Sequence, residues 1–147
     1  MLYRIALILC ISGLACPAYS APRSPEKVPS VTIVRVPPRH PGGKHTVFRI
    51  SGKVGGVDPR ECRVIVYALT DKWYVQPTED QPVTVITDDL AWDTTTHGGK
   101  RYAALLVRKE YDAAIHLGKL PSKGKDVLDL VDVAGVPPAG PSTGLTQ

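Results

Sequence analysis

The chain has 147 residues, with 18 Lys and Arg against 14 Asp and Glu for a net charge of +4. That length is room for one domain with a true hydrophobic core. Its basic residues form no stripe, which excludes nucleic acid as the expected partner. The three cysteines, two of them close to the start, exclude a disulfide-stapled framework.

The chain opens Met1-Leu2-Tyr3-Arg4, continues through an apolar run from Ile5 to Leu14, and reaches small residues at Ala18 and Ser20. This is the order of a signal peptide, residues 1–20, cleaved after Ser20. The run falls short of the ~20 residues that span a bilayer, so no transmembrane span is expected in the mature chain. The expected location is secreted or periplasmic. Leu14-Ala15-Cys16 resembles the end of a lipoprotein box, but Gly13 stands where such boxes carry a larger aliphatic residue. Lipid anchoring at Cys16 is therefore the lesser alternative.

Residues 21–30 are rich in proline and polar groups and read as a flexible leader. Residues 31–135 carry the strand signals. Val31–Val36 is β-branched and alternating. The Pro/Gly loop Pro37–Gly43 separates it from Val47–Val54, which Gly55-Gly56-Val57-Asp58-Pro59 ends with turn chemistry. Cys62–Leu69 is apolar on both faces and reads as a central strand. Trp73–Gln76 follows and is stopped by Pro77, as an edge strand is. Val83–Thr87, Leu90–Trp92, Tyr102–Arg108 and Asp126–Val133 complete the set. Lys109–Leu117 and Asp126–Val133 have helical composition, but glycine and proline flank both. Residues 136–147, with Pro137-Pro138 and Gly140-Pro141, read as a disordered tail. Short strands separated by regular turn signals predict an all-β protein, a single antiparallel β-sandwich of immunoglobulin-like architecture.

The spaced signatures of catalysis are absent: no Gly-x-Ser-x-Gly, no His-Glu-x-x-His, no phosphate-binding glycine loop. The expectation is a protein that is not an enzyme, with no cofactor and no metal. Asp88, Asp89 and Asp93 cluster, and read as a solvated turn, with calcium ligation as the alternative. Cys62, the one cysteine left after the leader, reads as a small buried hydrophobe; a reactive thiol or dimer link is the other reading.

The aromatic residues carry the binding expectation. Flat rings stack on sugar faces while polar neighbours catch hydroxyls. Trp73 and Tyr74 are adjacent on a strand and must point to opposite faces, so one serves the core and the other faces water. Trp92 reads as a core residue. The candidate ligand-binding residues are Trp73, Tyr74, Gln76, His97 and Tyr102.

The strings Trp73-Tyr-Val-Gln-Pro77, Leu90-Ala-Trp92 and His97-Gly-Gly-Lys-Arg-Tyr-Ala-Ala-Leu-Leu-Val107, with Ile50–Val54 and Val64–Ala68, resemble a small immunoglobulin-like β-sandwich module of bacterial secreted proteins. The module stands alone or beside glycoside hydrolase domains, and the resemblance covers residues 46–121. It implies a carbohydrate-associated role and supplies no catalytic residue. The expected function is an exported, non-catalytic module binding a glycan or other cell-envelope polymer. The alternative is a structural or protein–protein interaction domain of the envelope, its partner an envelope protein. Oligomeric state has no signature in the sequence.

Overall fold

The computed structural model describes residues 27–43 and 45–138. The expected signal peptide, most of the expected leader, and the residues beyond Pro138 lie outside the described residues, as do Cys10 and Cys16.

The strands in chain order are β1 (Ser30–Arg35), β2 (Val47–Gly55), β3 (Cys62–Leu69), β4 (Trp73–Gln76), β5 (Val83–Thr84), β6 (Ala91–His97), β7 (Arg101–Arg108), β8 (His116–Leu117) and β9 (Val127–Ala134). They form two antiparallel sheets. One has three strands in the order β1-β2-β6. The other runs β8-β4-β3-β7-β9, with β5 pairing the remaining stretch of β3. The protein is all-β, a β-sandwich. Placing the first, second and sixth strands opposite the third, fourth, seventh and ninth gives the strand exchange of an immunoglobulin-like sandwich.

The core explains the sequence pattern. Val64, Val66 and Ala68 of β3, and Tyr102, Ala104 and Leu106 of β7, face the three-stranded sheet and meet Val31, Ile50, Val54 and Trp92. The alternate residues Ile65, Tyr67, Ala103, Leu105 and Val107 point the other way, into a second cluster with Trp73, Val75 and Val127. Tyr111, Ala113, Leu117 and Leu120, from the irregular connection between β7 and β9, cover that outer face. The Tyr67 hydroxyl donates to the Ala114 carbonyl at 2.8 Å and pins this cover down. β3 and β7 read as continuous apolar runs because the large sheet is buried on both faces. Each large side chain so buried contributes about 1.5–3 kcal/mol.

Trp92 is buried, as expected. Its ring lies over Gly52, directly across the β2–β6 ladder, where a Cβ would come within 2.6 Å of the indole. Only glycine leaves room for it. Cys62 is free and buried, and burial pushes its thiol up from the ordinary value.

Two strands differ in extent from the sequence expectation, and the two stretches of helical composition carry no helix. The strand begun by Leu90–Trp92 extends through Thr94-Thr95-Thr96 to His97, because the whole run pairs with Val47–Lys53. Val83–Thr87 forms a ladder only at Val83 and Thr84. The stretch 109–117 of helical composition has no helix; its last two residues pair with Trp73 and Tyr74. Asp126–Val133 is a strand with a register shift opposite Leu106 and Val107. That shift sends Val127 and Leu130 to the outer cluster, and Leu128, Val131 and Val133 to the space between the sheets.

β1 begins at Ser30, and Val136 is paired: its carbonyl accepts from Arg39 N–H, and its own N–H donates to the Pro37 carbonyl at 3.0 Å. His40 N–H donates to the Gly99 carbonyl at 2.9 Å. The basic Pro/Gly loop is thus a pinned corner along its described part.

Candidate functional site

The principal recess, about 610 Å3, opens where the ends of β4 and β6 approach each other from different sheets. Its walls are the Thr70-Asp71 turn, Tyr74 to Gln76, the loop Pro77–Asp80, His97-Gly98, Gly43 and Ile115. The size suits a small organic ligand or a short stretch of polymer, which occupy roughly 300–1,000 Å3.

Strand alternation supplies the chemistry. On β4, Trp73 and Val75 enter the outer cluster, so Tyr74 and Gln76 turn toward the recess. Trp73 is 7% exposed and Tyr74 37%. The two adjacent rings do take opposite faces, and Tyr74 is the one that meets solvent. Its ring lies 6.3 Å from that of His116, tilted by 42°. Its hydroxyl leans toward Asp71 Oδ2 at 3.5 Å. Lost hydration and the Asp71 charge push the phenol up. The Asp71 carboxyl is held below its ordinary value, first by Thr70 Oγ1 donating at 2.9 Å, then by backbone N–H groups of Asp71 and Lys72.

Gln76 is 4% exposed, and both ends of its carboxamide are hydrogen-bonded. Its Oε1 accepts from the His97 backbone N–H at 2.8 Å and lies 3.0 Å from His97 Nδ1. Its Nε2 donates to the Tyr74 carbonyl at 3.2 Å. β6 is an edge strand, and at His97 its outward N–H has no neighbouring strand to meet. The Gln76 carboxamide takes the place of that strand and clips β6 to β4. A buried N–H left unpaired would cost about 1–3 kcal/mol.

Three of the five expected binding residues therefore converge: Tyr74, Gln76 and His97. Trp73 and Tyr102 lie elsewhere. Trp73 packs in the outer cluster against the β7–β9 connection. Tyr102, fully buried near the start of β7, accepts from the Gly99 N–H and donates to the Pro38 carbonyl, both at 2.9 Å. A tyrosine at that place, bonded to backbone three residues upstream, is the tyrosine corner of immunoglobulin-like sandwiches. Its ring has no path to a ligand.

Sequence reasoning passed over Asp71, Glu79 and Asp80, which line the recess. The available signal was their bracketing of the Trp73–Gln76 string on both sides. The acidic cluster it did single out is dispersed: Asp93 is ion-paired with Arg49 on the outer face, and Asp89 bonds the Thr87 hydroxyl. Among the described residues, no three His, Cys, Asp or Glu side chains are grouped to hold a metal.

Compared with known proteins, the chain matches no family model, no curated protein and no solved structure.

Proposed function

We propose that the protein is an exported, non-catalytic binding module whose recess between β4 and β6 takes a glycan or related cell-envelope polymer. The observation that carries this reading is the placement of Tyr74. One ring of an adjacent aromatic pair is withdrawn into the core, and the other is presented in the same recess as Gln76, His97 and three acidic residues. A ring face beside fixed hydrogen-bonding groups is what a hydroxyl-bearing sugar ring requires: the apolar face stacks and the rim pairs.

The assignment is to binding and not to catalysis because the most ordered polar groups hold one another. Gln76 and His97 Nδ1 are committed to the clip, and Asp71 to Thr70 and Tyr74. The leader-like order of residues 1–20 supports export to the periplasm or the medium. No helix among the described residues is long and apolar enough to cross a membrane.

Retention of the mature chain on cellulose, chitin, xylan and peptidoglycan tests the reading. Specific retention, lost in Tyr74→Ala with the fold intact by circular dichroism, is the expected result. Retention on none of them overturns it in favour of an envelope protein partner, sought by pull-down from the envelope fraction.

A further inference from the structure

The charged residues described in the lining of the recess are all acidic, and its uncharged groups can be oriented one by one. Gln76 comes first, because its orientation has a single solution. Its Oε1 faces the His97 backbone N–H, which only donates, and its Nε2 faces the Tyr74 carbonyl, which only accepts. The carboxamide cannot be turned end for end without losing both. The His97 ring then has no choice of tautomer. Nδ1 lies 3.0 Å from the accepting Oε1, so Nδ1 carries a hydrogen, and in the neutral ring Nε2 keeps its lone pair. Nε2 has no hydrogen-bond partner among the described residues and is not buried.

The exposed acidic residues Asp71, Glu79 and Asp80 line the same recess, and no Lys or Arg is among the described residues of the lining. Thr70 donates its hydroxyl hydrogen to Asp71, and the Thr78 oxygen accepts from Gln81 N–H. On a chain of net charge +4, this recess offers lone pairs and negative charge about a tyrosine face.

We propose that the ligand is an amino-sugar polymer with free amines. The inference rests on the reading of the recess as a glycan site and adds which glycan it takes. Free amines donate to His97 Nε2 and to the carboxylates. When charged, they are also drawn to the Tyr74 ring face. Acetylation removes the charge while leaving the sugar ring unchanged, and an anionic polymer meets the same carboxylates as repulsion.

The test is calorimetric titration of the mature chain, at neutral pH and low salt, with a glucosamine oligosaccharide and with its N-acetylated counterpart. The expected preference for the free amine is about three- to tenfold, because exposed charge pairs are individually weak and more than one acts at once. The double variant E79Q/D80N should level the two affinities, and added salt should do the same. In the free protein, nitrogen-correlated NMR of the His97 imidazole should find Nε2 without a hydrogen.

Equal affinities, or tighter binding of the acetylated oligomer, overturn the proposal while the glycan reading stands. The same holds if neither oligomer binds but another polysaccharide is retained. Retention of no glycan removes both. A lysine-rich peptide of equal charge binding as tightly as the oligosaccharide overturns the choice of sugar, and a hydrogen on Nε2 overturns the acceptor role.

Discussion

The carboxylate of Asp129 accepts the backbone N–H of Val31 at 2.8 Å, joining residues 98 positions apart. Val31 lies on β1, one edge of the three-stranded sheet, and Asp129 on β9, the edge of the larger one. At the opposite edge, Gln76 of β4 does the same for the N–H of His97 on β6. Each free edge of the smaller sheet is thus clipped to the larger sheet by one buried polar side chain. An edge strand otherwise presents unpaired backbone groups to solvent and to other chains.

The Asp129 clip should make stability fall in acid. Burial works against its charge, but the Lys123 ammonium, with which it is ion-paired, and the Val31 and Leu130 N–H groups outweigh that and hold the carboxyl below its ordinary value. A depressed folded value means the stabilisation is present above the unfolded carboxyl range, near pH 3.9, and is lost as pH falls below it. Urea unfolding at neutral pH and at about pH 3 should show a smaller acid loss in Asp129→Asn than in the parent. The variant itself should be about 1–3 kcal/mol less stable at neutral pH. Identical acid losses in the two proteins would remove Asp129 from this account.

At the other edge, Gln76→Leu keeps approximate volume and removes both hydrogen-bonding ends. The His97 amide should then exchange with solvent much faster, while amides of central β3 change little. Global stability should drop by about 1–3 kcal/mol. Unchanged protection at His97 would mean the clip carries no weight.

Tyr102→Phe leaves the Gly99 N–H and the Pro38 carbonyl without their shared partner. The expected cost is about 1–3 kcal/mol in chemical denaturation. Ligand retention by the folded variant should be untouched, because Tyr102 does not line the recess. A loss of retention at full stability would place the ring in the site after all.

The adjacent rings Trp73 and Tyr74 should separate cleanly. Trp73→Ala empties part of the outer cluster and should cost about 3–5 kcal/mol. Tyr74→Ala should cost less than about 1 kcal/mol, yet abolish retention. Thermal unfolding and polysaccharide retention, run on both variants, give the two readouts.

Cys62 is buried and its thiol is pushed up by that burial, so it should resist a thiol reagent in the native protein. Labelling should appear only with denaturation. Rapid reaction of the native protein would contradict its place in the core.

Much of this was legible from residues alone, for a stated reason in each case. The unbroken apolar runs at Cys62–Leu69 and Tyr102–Arg108 announce strands buried on both faces, because period-two geometry gives each face every second residue. The opposed roles of Trp73 and Tyr74 follow from the same geometry, although not which ring goes inward. That was decided by the β7–β9 connection, whose Tyr111, Leu117 and Leu120 cover one face of the large sheet and close over Trp73. Nothing local marks that segment as a cover; its composition even suggests a helix.

The sequence by itself determined the class of fold, the approximate strands, the inward place of Trp92 and the burial of Cys62, all of which depend on local pattern and hydrophobicity. Only the tertiary structure decided the site. Gln76 and His97 are 21 positions apart and meet because β4 of one sheet and the edge strand β6 of the other end side by side. Asp71 and the Glu79-Asp80 pair reach one recess because β4 is only four residues long. Tyr102 left the candidate set because its hydroxyl has backbone partners that no reading of neighbours in sequence supplies. Strand pairing is non-local, and the side chains that gather at its edges are chosen by register and crossover rather than by spacing along the chain.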